Sequence, residues 1–118
     1  MIYIIDDDQY VRRGFGILLK SAGFESSSYG SSEEFMEKCS PVPTDLVLLD
    51  YHLPGMSGGE LMEYFQSVNL NIPVIIVTAY DDQSSRDAAK KYGAIAYLRK
   101  PVDGEALIDL VKYSTTAV

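Results

Sequence analysis

Five side chains stand where apolar runs give out, and their types belong together chemically. Asp6 and Asp7 follow "IYII" (Ile2 to Ile5), Asp50 closes "DLVLLD", Thr78 closes "IPVIIVT", and Lys100 follows "AIAYLR". Adjacent carboxylates repel, and a carboxylate beside a core is costly unless something positive faces it. The triplet Asp6, Asp7, Asp8 is therefore either a solvated strand end or one side of a cation site. Carboxylates in this number suit a hard cation, and Mg²⁺ takes one or two of them while keeping waters; Mn²⁺ accepts the same oxygen ligands. One histidine and one cysteine provide no zinc spacing. Lys100 and a metal both attract a dianion, and the Thr78 hydroxyl can donate to one of its oxygens. A carboxylate beside Mg²⁺ can attack a phosphoryl group, where catalysis is mostly positioning and charge neutralisation.

That chemistry requires the five positions to meet, so the elements must bring them together. "IYII" reads as a buried strand. Val11, Phe15, Leu18 and Ala22 at helical spacing follow, with Gly23 as the stop. "FESSSY" (Phe24 to Tyr29) reads as a polar edge strand, and Ser31 with Glu34 as a capping box opening a short helix through Cys39. After the strand ending at Asp50, Ser57 and Glu60 form a second capping box ahead of an apolar stripe of Leu61, Phe65 and Val68. A strand ending near Thr78 and a helix from about Gln83 to Tyr92 come next. "AIAYL" is the last strand, and a helix with Leu107, Leu110 and Val111 follows Pro101. Strands and helices in alternation imply an α/β fold, a parallel sheet with helices on both faces. In such sheets ligands bind outside the carboxyl ends of the strands, where all five residues fall.

The composition of the 118 residues, 47% apolar and 23% charged, fits one globular domain with a single core. A net charge of -7 speaks against a phosphate-backbone binder, so no nucleic-acid contact is expected of these residues. No apolar run approaches a membrane span and no signal peptide is visible, which makes the cytoplasm the expected location. One free Cys39 demands no oxidising compartment.

The segments "IIDDDQYVR", "LVLLDYHLPGMSGGEL", "PVIIVTAY" and "GAIAYLRKP" resemble the receiver domains of two-component response regulators, from about residue 2 to residue 113. The resemblance implies a five-stranded parallel sheet in the order 2-1-3-4-5, flavodoxin-like, spanning 1–118 as one domain, with 114–118 as the start of a linker. It implies Asp50 as the phosphoacceptor, supplied by a sensor histidine kinase or phosphotransfer protein. Asp7 would bind Mg²⁺ directly, Asp6 through water, and the His52 backbone carbonyl would add a ligand. Lys100 would pair with Asp50 and then with the phosphoryl oxygens. Thr78 would close on that group beside the Ala79 N–H, and Tyr97 would turn inward behind it. The Lys100–Pro101 bond is expected to be cis. The protein would be a switch that catalyses its own aspartyl phosphorylation and dephosphorylation. It would signal to an output domain, or self-associate, through the face of the fourth helix, fifth strand and fifth helix.

Each residue alone has a plainer reading: Thr78 as a β-branched strand residue, Lys100 as a surface lysine, Tyr97 as a half-buried aromatic. Their coincidence at neighbouring strand ends is what favours a site. The His52 side chain is expected at the mouth of that site, and Tyr80, two residues after Thr78, is expected to slow attack by water. Arg12 and Arg13 are read as the exposed face of the first helix, and Asp8 as helping to start it. Three rival classes stand beside this reading. A haloacid-dehalogenase-type phosphatase would carry an acid two residues after its nucleophile, where His52 stands. An FMN carrier would cradle phosphate with small polar residues rather than "DDDQ". A receiver working without phosphate would have no need of the acid set.

Overall fold

The computed structural model describes residues 1–116. Its elements are β1 (Ile2–Ile5), α1 (Gln9–Ser21), β2 (Ser26–Tyr29), α2 (Ser32–Lys38), β3 (Leu46–Asp50), α3 (Gly58–Ser67), β4 (Val74–Thr78), α4 (Gln83–Lys91), β5 (Ala96–Arg99) and α5 (Gly104–Thr116). The strands form one sheet in the order β2-β1-β3-β4-β5, every pair parallel. This is the expected 2-1-3-4-5 order.

β3 and β4 are buried along their whole length, because helices cover the sheet on both faces. Strand alternation divides the core in two. Ile2, Ile4, Leu46, Leu48, Ile75 and Val77 face α1 and α5, packing on Leu19, Leu107 and Val111. Ile5, Val47, Leu49, Val74 and Ile76 face the other way, onto Phe35 of α2 and Leu61 and Phe65 of α3. Each such side chain removed from water contributes about 1.5–3 kcal/mol.

Local chemistry sets the helix starts. Asp8 caps α1, accepting from the N–H groups of Tyr10 and Val11 at 2.8 and 3.4 Å. At α3 the capping box is reciprocal: Ser57 Oγ accepts from Glu60 N at 3.1 Å, and Glu60 returns to Ser57 N at 3.2 Å. The expected box at α2 is only half formed. Ser31 Oγ accepts from Glu34 N at 3.0 Å, but the Glu34 carboxylate takes the N–H of Gly30 rather than that of Ser31.

Three expectations shift at element ends. β2 begins at Ser26 rather than Phe24, whose ring packs into the α1/α5 cluster. Val68 caps the end of α3 and is 49% exposed, so the apolar stripe stops at Phe65. Residues 114–116 continue α5, and the rest of the expected linker start, 117–118, lies outside the described residues.

Candidate functional site

Asp6 and Asp50 follow the strand positions that face α1 and α5, and Lys100 follows Ala96 and Leu98 of β5 on that same face. Alternation thus brings three charges from three strands to one place. Lys100 Nζ lies 2.7 Å from Asp6 Oδ2 and 3.4 Å from Asp50 Oδ2. Both acids are enclosed, at 2% and 6% exposure. Lys100 was expected to pair with Asp50; it holds Asp6 more closely and bridges the two. Asp7 is exposed, yet one carboxylate oxygen from each of Asp6, Asp7 and Asp50 falls within 4.8 Å of the others.

Burial pushes the Asp50 carboxyl above its ordinary range, and the Asp6 charge adds to that. Lys100 and a hydrogen bond from His52 N oppose the shift without cancelling it. Burial is also the largest influence on Lys100 and pulls it down, but its bonds and attraction to Asp6 and Asp50 outweigh burial and raise it. Lys100 therefore stays an ammonium. An acid triad with one fixed ammonium retains negative charge and oxygen ligands, which is the donor set of a hard divalent cation.

The surrounding backbone is held tightly. Arg12, expected to be exposed, folds back so that its guanidinium donates to the Asp6 carbonyl at 2.6 Å; Arg13 is exposed as expected. A Cβ on Gly58 would stand 2.7 Å from the Asp50 carbonyl oxygen, so only glycine lets α3 start directly against the end of β3. Gly55, at φ +73°, lies under the Glu33 carboxylate, which accepts from Met56 N at 3.1 Å and ties α2 to the loop after Asp50. The Lys100–Pro101 bond is cis.

Thr78 and Tyr97 lie on the opposite alternation, with the α2/α3 cluster. The Thr78 hydroxyl donates to the Tyr80 carbonyl at 2.9 Å and accepts from Tyr80 N at 3.1 Å. The Tyr97 hydroxyl donates to Asp81 Oδ1 at 3.1 Å and shares a hydrogen bond of 2.7 Å with the buried Ser85 Oγ. Between the two groups, the His52 ring lies edge-on to Tyr51 and Tyr80, with centroids 4.9 and 5.6 Å away. Its Nε2 is 3.2 Å from Asp82 Oδ2, and Tyr51 bonds Ser84 Oγ at 2.8 Å. Backbone and side-chain bonds from Ser85 are the main reason the Asp82 carboxyl sits below its ordinary range.

The chain matches the family model described as response regulator receiver domain over residues 2–112. It belongs to the response regulator receiver family. Nodulation protein W of Bradyrhizobium diazoefficiens is 32% identical over 98% of this chain and 51% of its own length. The transcriptional regulatory protein FixJ of Azorhizobium caulinodans is 32% identical over 96% of this chain and 54% of its own. The chain therefore spans about half the length of these curated relatives. Among solved structures, response regulator StyR superposes with TM-score 0.88 at 37% identity, covering 97% of this chain and 58% of that one. FixJ-N superposes with TM-score 0.87 at 27% identity, covering 99% and 94%.

Receivers are signalling switches that generally hold Mg²⁺ on an acidic cluster, and Asp6, Asp7 and Asp50 form such a cluster here. Of the residues expected in the receiver site, Asp6, Asp7, Asp50 and Lys100 meet, while the Thr78 and Tyr97 hydroxyls are engaged by the loop and helix that follow β4. Arg12, Glu33, Asp81, Asp82 and Ser85 were not singled out by sequence reasoning as contacts of the site. For Asp82 a signal existed: an acid three residues before Ser85, at the start of a helical pattern, is a cap signature, and Asp82 accepts from Ser85 N at 2.8 Å. Among the described residues no helix is long and apolar enough to cross a membrane.

Proposed function

We propose that this receiver takes a phosphoryl group onto Asp50 from a phosphohistidine on a sensor kinase or phosphotransfer protein. The observation that carries this reading is the enclosed Asp50 carboxylate at the end of β3, sharing one ammonium with Asp6 in a three-carboxylate cluster. In the transfer, an Asp50 oxygen bonds to phosphorus as the phosphorus–nitrogen bond breaks, and the imidazole nitrogen leaves with the electron pair. Asp7 directly, Asp6 through water, Asp50 and the His52 backbone carbonyl would hold a Mg²⁺ or Mn²⁺ ion, which would supply positive charge to offset that of the phosphoryl oxygens. Lys100 carries its own charge to those oxygens. Thr78 then donates its proton to one oxygen and the Ala79 N–H serves another, while Tyr97 follows Thr78 inward. The same residues would catalyse hydrolysis of the phosphoryl group.

The new charge biases a pre-existing equilibrium on the face of α4, β5 and α5, where an output domain or a second copy would read it. These partners, a cytoplasmic setting, and 1–118 as a single receiver unit belong to the proposal. The family match favours neither a dehalogenase-type phosphatase nor an FMN carrier. The position an acid would occupy in that phosphatase holds His52, whose Nε2 pairs with Asp82.

The test is intact mass after incubation with acetyl phosphate and Mg²⁺, beside Asp50→Asn and EDTA controls. One phosphoryl adduct that needs both Asp50 and metal is expected. An adduct that survives Asp50→Asn would overturn Asp50 as acceptor, and no adduct in folded protein would point to a receiver working without phosphate.

A further inference from the structure

The Thr78 hydroxyl has one proton, and it is already given to the Tyr80 carbonyl. To donate to a phosphoryl oxygen, Thr78 must release the Tyr80 carbonyl, which breaks its bond to the loop after β4. The next residue along that loop is Asp81, whose carboxylate faces three side chains from two elements, α4 and β5. Its Oδ1 accepts from Arg86 of α4 at 2.6 Å and from the Tyr97 hydroxyl of β5 at 3.1 Å, and its Oδ2 lies 4.0 Å from Arg99. On its other side the Tyr97 oxygen lies 2.7 Å from Ser85 Oγ, whose single proton serves either that contact or the Asp82 carbonyl 3.0 Å away. Loop, α4 and β5 are therefore bonded together in the arrangement where Thr78 is occupied.

We propose that Asp81 is an off-state latch: by holding the Tyr97 hydroxyl and Arg86 it keeps the loop after β4 closed on Thr78, and phosphorylation must release it. The latch rests on the reading of Asp50 as phosphoacceptor. Because a ligand shifts an equilibrium only by its differential affinity, removing the latch favours the released state before any phosphoryl group arrives. Apparent affinity for a phosphoryl mimic then rises, since less of the binding is spent on opening.

The experiment titrates beryllofluoride with Mg²⁺ into wild type, Asp81→Ala, Tyr97→Phe and the double variant, following the Tyr97 ring signals by NMR in tyrosine-labelled protein where that ring is present. Asp81→Ala is expected to raise apparent affinity roughly fivefold or more, within the usual span of coupling between sites. Its ligand-free Tyr97 signals should move toward those of beryllofluoride-bound wild type. Tyr97→Phe should raise affinity as well, and adding Asp81→Ala to it should do little more. An equal gain from Asp81→Ala in both backgrounds would mean that only a repelling charge had been removed, and the latch is overturned. Tyr97 signals unmoved in ligand-free Asp81→Ala overturn it whatever beryllofluoride does. A wild type that ignores beryllofluoride defeats the Asp50 reading, whereas a wild type that binds it with affinity unchanged by Asp81→Ala defeats the latch alone.

Discussion

Two groups of side chains share the carboxyl edge of the sheet, and strand alternation sends them to opposite faces. Asp6, Asp50 and Lys100 lie toward α1 and α5, enclosed, and bonded to one another across three strands. Thr78 and Tyr97 lie toward the other face, and their hydroxyls are taken up by the loop and helix that follow β4. The first group is assembled for chemistry in the resting chain. The second is assembled to resist it. On the reading of Asp50 as phosphoacceptor, the charges that would handle the phosphoryl group are already together, and the conformational response would draw on a separate set of bonds.

Removing the ammonium gives the sharpest contrast. Lys100→Met leaves Asp6 buried beside Asp50 with no countercharge, and should lower stability by roughly 3 kcal/mol in urea denaturation. A loss below about 1 kcal/mol would mean that water already reaches the pair. Divalent cation acts next in size and in the opposite direction. Mg²⁺ at about a hundred times its dissociation constant should add about 2.7 kcal/mol to stability, and Asp50→Asn should blunt that gain.

Asp50→Asn in metal-free buffer comes third and stabilises, by on the order of 1 kcal/mol. The sign follows from burial. A carboxyl raised above its unfolded value favours the folded state while protonated, and that contribution is lost as pH rises through its folded pKa. The gap between variant and wild type should therefore open with rising pH above the ordinary carboxylate range and then level off. A gap that shrank with pH would reverse the assignment.

The smallest effect is expected at the border between the groups. Tyr80 is 70% exposed with its ring against His52, and Tyr80→Ala should shorten the phosphoryl lifetime several-fold, a change of about 1 kcal/mol or less in barrier. A lifetime that lengthened would remove Tyr80 as a shield against water.

The elements and the charged cluster were legible because they rest on one-dimensional signals: apolar runs, caps such as Ser57 with Glu60, and acids or a lysine at strand ends. The closer pairing of Lys100 with Asp6 than with Asp50 was not, since a long side chain chooses between acids on adjacent strands by tenths of an ångström. Nor was the return of Arg12 to the Asp6 carbonyl, because helical spacing alone put it on the outer face. The latch around Asp81 was hidden for a related reason. "DDQSS" reads as a polar loop running into a cap, and nothing in its pattern says that a tyrosine sixteen residues later donates to its first acid. Val68 misled in the other direction: its spacing continued the stripe, but the helix ended before that turn reached the core.

The chain has no tryptophan and nine tyrosines, so phenol rings carry its near-ultraviolet emission. Two of them, Tyr51 and Tyr80, stand on either side of the histidine whose backbone faces the acid cluster. A cation or phosphoryl group arriving there would change the electrostatic field at these two rings. Occupancy of the site should therefore be readable from tyrosine emission in unlabelled protein.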